Sequence, residues 1–114
     1  MATIYKICPA ELWRAAVAQR VFLGSPVDRE DGFIHFSTVG QVAETAAKYF
    51  AGQSHLILAA FEDNVLGADL RYEPARDGQL FPHLYGPLDP GLALWAKPLS
   101  LGADGRHIFP DLAP

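Results

Sequence analysis

The sequence has one cysteine, no long apolar run and few charged residues. A single thiol, Cys8, cannot form a disulfide within the 114-residue chain. The longest apolar run, residues 56–61, is far shorter than the ~20 residues that cross a bilayer, which predicts no membrane contact. No signal peptide precedes the first predicted strand, so we expect a cytoplasmic protein in a reducing compartment.

Positive charge is also scarce. The sequence has nine Lys and Arg residues and thirteen Asp and Glu residues, which give a net charge of −4. General binding to nucleic acid requires clustered cations that displace counterions, and this balance argues against it. A small nucleotide or one RNA end in a local pocket remains compatible with the charge. The 50% hydrophobic content excludes a disordered tail and predicts a folded core.

The standard motifs of nucleotide, hydrolase and zinc sites are absent. Neither a G-x-G-x-x-G fingerprint nor a P-loop occurs among the glycines, and no G-x-S-x-G elbow is present. No cysteine pair or H-E-x-x-H supplies zinc ligands at a local spacing. The four histidines are scattered along the chain, so we predict that no metal is bound.

The order of elements predicts one α+β domain over residues 1–114, with five or six strands and two early helices. The motif-bearing part covers residues 4–99, and the tail 100–114 reads as a loop that Ile108 and Phe109 partly hold. Polar residues 28–32 read as a loop. Hydrophobic patterning predicts strands over residues 3–7, 33–37, 55–61, 69–73, 81–86 and 92–99, and helices from Pro9 to about Arg20 and from Thr38 to Gly52.

The first candidate site lies in the strand over residues 33–37. Strand alternation places Phe33, His35 and Ser37 on one face. Thr38 with Gln41 forms a predicted capping box at the following helix, whose N-terminus would attract an anion. The alternative interpretation is that Thr38 only caps the helix and that His35 is a structural histidine.

The second candidate site lies in residues 81–88, where two prolines and a glycine stiffen a segment that carries His83 and Tyr85. A rigid backbone that presents an imidazole and a phenol is typical of a ligand wall. Glu73 is a candidate partner of these side chains, or an ordinary solvated residue at a strand end. A proline-rich turn that covers the core is the competing interpretation. We predict that His35 and His83 face one cleft.

These segments resemble a family catalogued as domain of unknown function 952. The resemblance runs in order through residues 4–88, about three-quarters of the chain. It rests on I-Y-K-I (4–7), W-R-A-A (13–16), D-G-F-I-H-F-S-T (31–38), Q-V-A-E-T-A-A-K-Y-F (41–50), L-R-Y-E-P (70–74) and F-P-H-L-Y-G-P-L (81–88).

The layout is also similar to the ADP-ribosyltransferase fold, in particular to RNA 2′-phosphotransferases. That resemblance implies a split β-sheet, with residues 34–37 in the slot of a histidine followed by a small polar residue. Lys6 stands where the first histidine of those enzymes lies, and the glycine-threonine after it is missing. No glutamate occupies an obvious third-motif position unless His83 or Glu73 substitutes, which argues against protein ADP-ribosylation.

The resemblance implies a cleft for a small anionic ribose-containing ligand, with NAD as a candidate substrate. In that interpretation His35 and His83 are catalytic. Lys6, Ser37, Thr38, Glu73 and Tyr85 bind the ligand. The alternative interpretation of Lys6 is a solvated residue at the edge of the first strand. The alternative function is a non-catalytic interaction or ligand-binding module with structural histidines.

Overall fold

The computed structural model describes residues 2–112 and has an α+β architecture with two antiparallel sheets. No helix within residues 2–112 is long and apolar enough to cross a membrane. In chain order the elements are β1 (Thr3–Pro9), α1 (Ala10–Gln19), α2 (Pro26–Asp31), β2 (Ile34–His35), β3 (Ser37–Thr38), α3 (Val42–Tyr49), β4 (Leu56–Glu62), β5 (Leu70–Pro74), β6 (Leu80–Leu84), β7 (Trp95–Leu101) and β8 (His107–Ile108), with short 3₁₀ turns at Asp63–Asp69, Arg76–Gly78 and Pro90–Leu92.

The larger sheet has the strand order β3-β1-β4-β7-β8, and the smaller sheet has the order β2-β6-β5. β1 pairs along its whole length with β4, so that Thr3 faces Glu62 and Pro9 faces Leu56. β4 is buried on both faces, as the apolar run in the sequence predicts. The α+β prediction is therefore confirmed, although residues 2–112 form eight strands where five or six were expected.

Hydrophobic core covers both faces of the larger sheet. On one face Ile4 and Cys8 pack with Trp13 of α1 and with residues of the smaller sheet. On the other face Tyr5 packs with Val42 of α3. Strand alternation places Lys6 on the same face as Ile4 and Cys8, where a charged side chain needs a partner.

The polar segment predicted as a loop contains a helix, α2. Pro26 occupies its first turn, where a missing backbone N–H costs nothing, and the Asp28 carboxylate accepts a hydrogen bond from the Ser25 N–H at 2.9 Å. Gly32 ends the helix with a positive φ of 87°. The loop prediction was wrong because this short helix has no apolar stripe and is set by its two ends.

The predicted strand over residues 33–37 is divided between the two sheets. Ile34 and His35 pair with β6, whereas Ser37 and Thr38 pair with β1. Phe36 lies between these pairings and donates its N–H to the Pro82 carbonyl at 3.0 Å. The chain therefore crosses from one sheet to the other within five residues, and it brings His35 to their junction.

The helix predicted to begin at Thr38 begins at Val42 instead. Thr38 is part of β3, and only half of the predicted capping box forms: the Gln41 Oε1 accepts the Thr38 N–H at 3.1 Å. Pairing with β1 holds Ser37 and Thr38 in extended backbone. Their hydroxyls therefore do not lie in the first turn of a helix, which corrects the predicted anion site there.

The tail is more ordered than predicted. β7 extends to Leu101 and pairs with β8, and Phe109 packs against the core. The Tyr5 hydroxyl donates a hydrogen bond to the Leu112 carbonyl at 2.8 Å. Ile108, predicted to help hold the tail, is mostly exposed, while its neighbour Phe109 performs that role. Pro114 lies outside the described residues.

Gly24 has a positive φ and lies close to Asp28 of α2, so a larger residue at this position tests the fold. Its φ is 109°, and a Cβ there would lie 2.8 Å from the Asp28 Cβ. We expect Gly24→Ala to lower the free energy of unfolding by about 2–3 kcal/mol, through backbone strain and crowding together. Gly52→Ala is the matched control, because its φ is 74° and no atom lies within 4 Å of the added Cβ. Urea unfolding of both variants measures the difference, and equal losses would contradict the crowding.

Candidate functional site

A cavity of about 600 Å³ lies where the two sheets meet. Its wall includes residues of β1, α2, β2, α3 and β6, together with the loop between β5 and β6. The charged and imidazole side chains on this wall are Lys6, Asp28, Asp31, His35, Arg76 and His83. A second cavity, of about 530 Å³ at the start of α1, contains none of the predicted site residues.

The two predicted histidines face each other across the strand pair β2–β6. His35 and His83 are register partners, and their ring centroids lie 5.7 Å apart at an interplanar angle of 70°. The Phe33 ring stacks on His83 at 4.0 Å and lies 4.6 Å from His35. Both histidines line the same cavity, so the prediction of one shared cleft is confirmed.

A buried carboxylate, Asp28, organises one side of the cavity. Its oxygens accept hydrogen bonds from the Lys6 ammonium at 2.8 and 3.0 Å, and one oxygen lies 2.6 Å from the His35 Nδ1. The same oxygen accepts the His35 backbone N–H at 3.2 Å. The Asp28 side chain is 1% exposed and that of Lys6 is 5% exposed. Lys6 lies on the cavity wall, as predicted, and the competing interpretation of a solvated edge lysine is wrong.

The charge of Asp28 is stabilised in spite of its burial. Burial alone raises the pKa of this carboxyl, but the hydrogen bond with His35 and the Lys6 ammonium outweigh it and hold the pKa well below its usual range. Asp28 was not predicted as a site residue because it belongs to a run of four charged residues, 28–31, which is typical of an exposed segment. The position of Lys6 on an apolar strand face was the available signal that a buried acid exists.

His35 is bound through both ring nitrogens. While Nδ1 lies at Asp28, Nε2 lies 2.9 Å from the Asp31 Oδ2. Two carboxylates thus fix the plane of the ring, and neither nitrogen is left for a ligand in this arrangement. The structural interpretation of His35 is supported by these contacts.

His83 has a different environment. Its Nδ1 lies 2.8 Å from the Glu73 Oε1, and the Tyr85 hydroxyl donates to the same oxygen at 2.7 Å. The hydrogen bond from Tyr85, and to a smaller extent the one from His83, lowers the pKa of Glu73. The hydrogen bond to Glu73 in turn raises the pKa of Tyr85. Glu73 therefore contacts both predicted partners, and its hydrogen bond with His83 occupies the Nδ1 nitrogen of a ring that lines the cavity.

The remaining predicted residues divide between the cavity and its outside. Ser37 lines the cavity, with its Oγ 2.9 Å from the Thr45 Oγ1. Thr38, Glu73 and Tyr85 are not on the cavity wall. Tyr85 lies beside the cavity wall: its ring centroid is 5.3 Å from that of Phe33, a wall residue, and the Arg71 guanidinium is 5.2 Å from the Tyr85 ring centroid.

Arg76 is a cavity residue that the sequence did not reveal. It follows β5 in an irregular loop, and its guanidinium lies 4.8 Å from the Phe81 ring and 5.7 Å from the Tyr49 ring. The side chain is 11% exposed. No motif marks this arginine, because only the tertiary fold places the loop against α3. Within the described residues, no group of three or more His, Cys, Asp or Glu side chains could hold a metal ion.

The buried pair gives a second prediction. Asp28→Asn removes the charge that compensates Lys6, so we expect a loss of about 3–5 kcal/mol in the free energy of unfolding. Adding Lys6→Met should recover part of that loss in a double-mutant cycle measured by urea unfolding. Asp31→Asn is the control on the same helix, and its exposed position predicts a loss under about 1 kcal/mol. Equal losses for the two aspartates would contradict a dominant role of Asp28.

The lowered pKa of Asp28 also predicts an acid dependence of stability. An unfolded Asp has a pKa of ~3.9, so protons bind the unfolded chain first as the pH falls. The contribution of the Asp28 charge is fully present above that value and is lost as the pH falls towards the lower pKa of the folded state. Urea unfolding between pH 6 and pH 3 should show a smaller acid loss in Asp28→Asn than in the wild type. Identical pH slopes would contradict this.

Comparison with known proteins assigns the chain to a family without assigning a function. The family model described as "Protein of unknown function (DUF952)" matches residues 7–96. The chain is 49% identical to the crystal structure of protein CC0527 from Caulobacter crescentus, with 93% of each chain covered and a TM-score of 0.90. The solution NMR structure of CC0527 is 50% identical, covers 93% of this chain and 91% of that one, and has a TM-score of 0.83. No curated protein matches. The chain therefore belongs to the DUF952 family.

Proposed function

We propose that the cavity binds a small anionic, ribose-containing ligand, of the NAD, ADP-ribose or 2′-phosphorylated nucleotide type, and that His83 transfers a proton to or from it. The observation that carries this proposal is the His83–Glu73 pair, which places an oriented imidazole on the cavity wall. The resemblance to ADP-ribosyltransferases and RNA 2′-phosphotransferases supports the choice of ligand.

Glu73 gives His83 the geometry of a general base. When the proton is on Nδ1 and this N–H donates a hydrogen bond to Glu73, the lone pair of Nε2 can accept a ligand proton. Phe33 covers one face of the ring and limits its rotation. A positioned imidazole of this kind contributes about 10²–10⁴-fold to a proton-transfer step.

The cavity wall suits a ligand that has both a planar ring and hydroxyl groups. Its volume is in the usual range of about 300–1,000 Å³ for small-molecule sites. The rings of Phe33 and Phe81 offer flat apolar surface, while Ser37 and the partly exposed Asp31 offer hydrogen-bonding groups for ribose hydroxyls. A purely apolar ligand would not use the hydrogen-bonding capacity that these groups have beyond their contacts with Thr45 and His35.

A non-catalytic ligand-binding module is the second candidate, and the contacts of His35 favour it. Both nitrogens of His35 are occupied by carboxylates, so this ring positions the wall and does not transfer protons. We therefore assign His35 as a positioning residue and retain His83 as the one catalytic candidate. The module and the enzyme share the same ligand and differ only in turnover.

The test combines binding and turnover. Wild-type protein is incubated with NAD, ADP-ribose and a nucleoside 2′-phosphate, while melting temperature, nicotinamide release and phosphate transfer are followed. A ligand at a hundredfold excess over Kd stabilises the folded state by ~2.7 kcal/mol, which a thermal-shift assay detects. We expect His83→Gln to retain the thermal shift and to lose turnover by about 10²-fold or more.

The control variant is His55→Asn. His55 is exposed, lies outside the site cavity and has a φ of 58°, a conformation that asparagine tolerates. This variant should bind and turn over like the wild type. Binding without turnover would leave the ligand-binding module, and no response to any of these ligands at millimolar concentration would overturn the proposal.

A further inference from the structure

The cavity contains two cations that differ in their availability to a ligand. The Lys6 ammonium is held by both oxygens of Asp28 at 2.8 and 3.0 Å, and both side chains are buried. Its charge is therefore compensated at short range. An anion that approached Lys6 would also meet the buried negative charge of Asp28.

Arg76 has weaker partners. Its Nε lies 3.5 Å from the Glu44 Oε1, and its Nη2 lies 3.3 Å from the Thr45 Oγ1. Glu44 is 46% exposed and is also 3.5 Å from the Lys48 ammonium, so its charge is shared between two cations and screened by solvent. A guanidinium has five N–H donors, and these two long contacts leave most of them without a short hydrogen bond.

The surroundings of Arg76 hold its guanidinium in place. The Phe81 and Tyr49 rings both lie against it, and all three residues line the cavity. Such contacts fix the plane of the guanidinium and reduce its contact with water. A fixed, planar fork of donors matches the oxygens of a phosphate group, to which it can donate two parallel hydrogen bonds.

We propose that Arg76 forms an anion subsite that binds the phosphate or diphosphate group of the ligand, and that Lys6 is not that site. The assignment of this group to a nucleotide rests on the proposed function, whereas the recognition of phosphate by Arg76 does not. The competing role is purely structural: Arg76 ties the loop after β5 to α3 through Glu44.

Three proteins separate these roles: the wild type, Arg76→Met and Glu44→Gln. Titration calorimetry measures Kd for ADP-ribose and for adenosine, which shares the ring and ribose but has no phosphate. Inorganic diphosphate is a third probe in thermal-shift measurements, and urea unfolding checks that each variant is folded. Arg76→Lys is added as a folded alternative in case Arg76→Met does not fold, since it keeps the charge but loses the planar fork.

The subsite predicts a specific pattern of affinities. Arg76→Met should weaken ADP-ribose at least about tenfold and leave adenosine unchanged, because only the charged hydrogen bonds are lost. Glu44→Gln removes a competing negative charge and should leave the affinity for ADP-ribose unchanged or tighten it by up to about fivefold. If Arg76 is only a structural tie, the two variants should instead weaken both ligands alike.

The outcomes distinguish this proposal from the proposed function. If no nucleotide binds but diphosphate stabilises the wild type and not Arg76→Met, the proposed function fails and the anion subsite stands. If ADP-ribose and adenosine bind the wild type equally, or if Arg76→Met and Arg76→Lys both bind ADP-ribose like the wild type, the subsite is overturned and the ligand cavity remains. Absence of binding by nucleotide and diphosphate alike overturns both.

Discussion

The buried ion pair between Lys6 and Asp28 is the contact on which the rest of the site depends. A lysine on the apolar face of β1 requires a carboxylate, and the carboxylate that reaches it comes from α2. Because Asp28 also binds the His35 ring and backbone, the same charge fixes the position of β2 against α2. A buried pair of this kind contributes little net stability compared with apolar packing, but it is costly to break. It therefore specifies one arrangement of α2 against the two sheets.

The junction of the sheets converts this local contact into a cavity. β2 and β3 are two-residue edge strands of different sheets, and the chain between them changes partner at Phe36. Because of this change, His35 lines the cavity from the smaller sheet and Ser37 lines it from the larger sheet. The register of β2 with β6 then sets His35 opposite His83, and the Phe33 ring fills the space beside both.

The sequence predicts those features that depend on local pattern or on a single apolar face. The α+β class, α1, the central strand β4 and the shared cleft of the two histidines could be predicted from periodicity, composition and the polar interruptions of apolar strands. Asp28 and Arg76 could not be predicted, because each acts through residues far away in the chain, Lys6 in one case and Phe81 with α3 in the other. The break at Phe36 could not be predicted either. It arises because two sheets pair with one short segment, and their strands come from distant parts of the sequence.

The two histidines show how the same side chain in the same strand pair acquires different chemistry. His35 lies between two carboxylates, so both of its nitrogens are committed and its ring is part of the wall. His83 has one carboxylate, Glu73, which orders the ring and leaves the other nitrogen available. Glu73 also accepts a hydrogen bond from the Tyr85 hydroxyl, so a residue that is not itself on the cavity wall helps to orient His83. The proposed proton transfer is therefore assigned to His83, the histidine with fewer partners, while the buried ionic network of Lys6, Asp28 and His35 forms the rigid part of the cavity wall beside it.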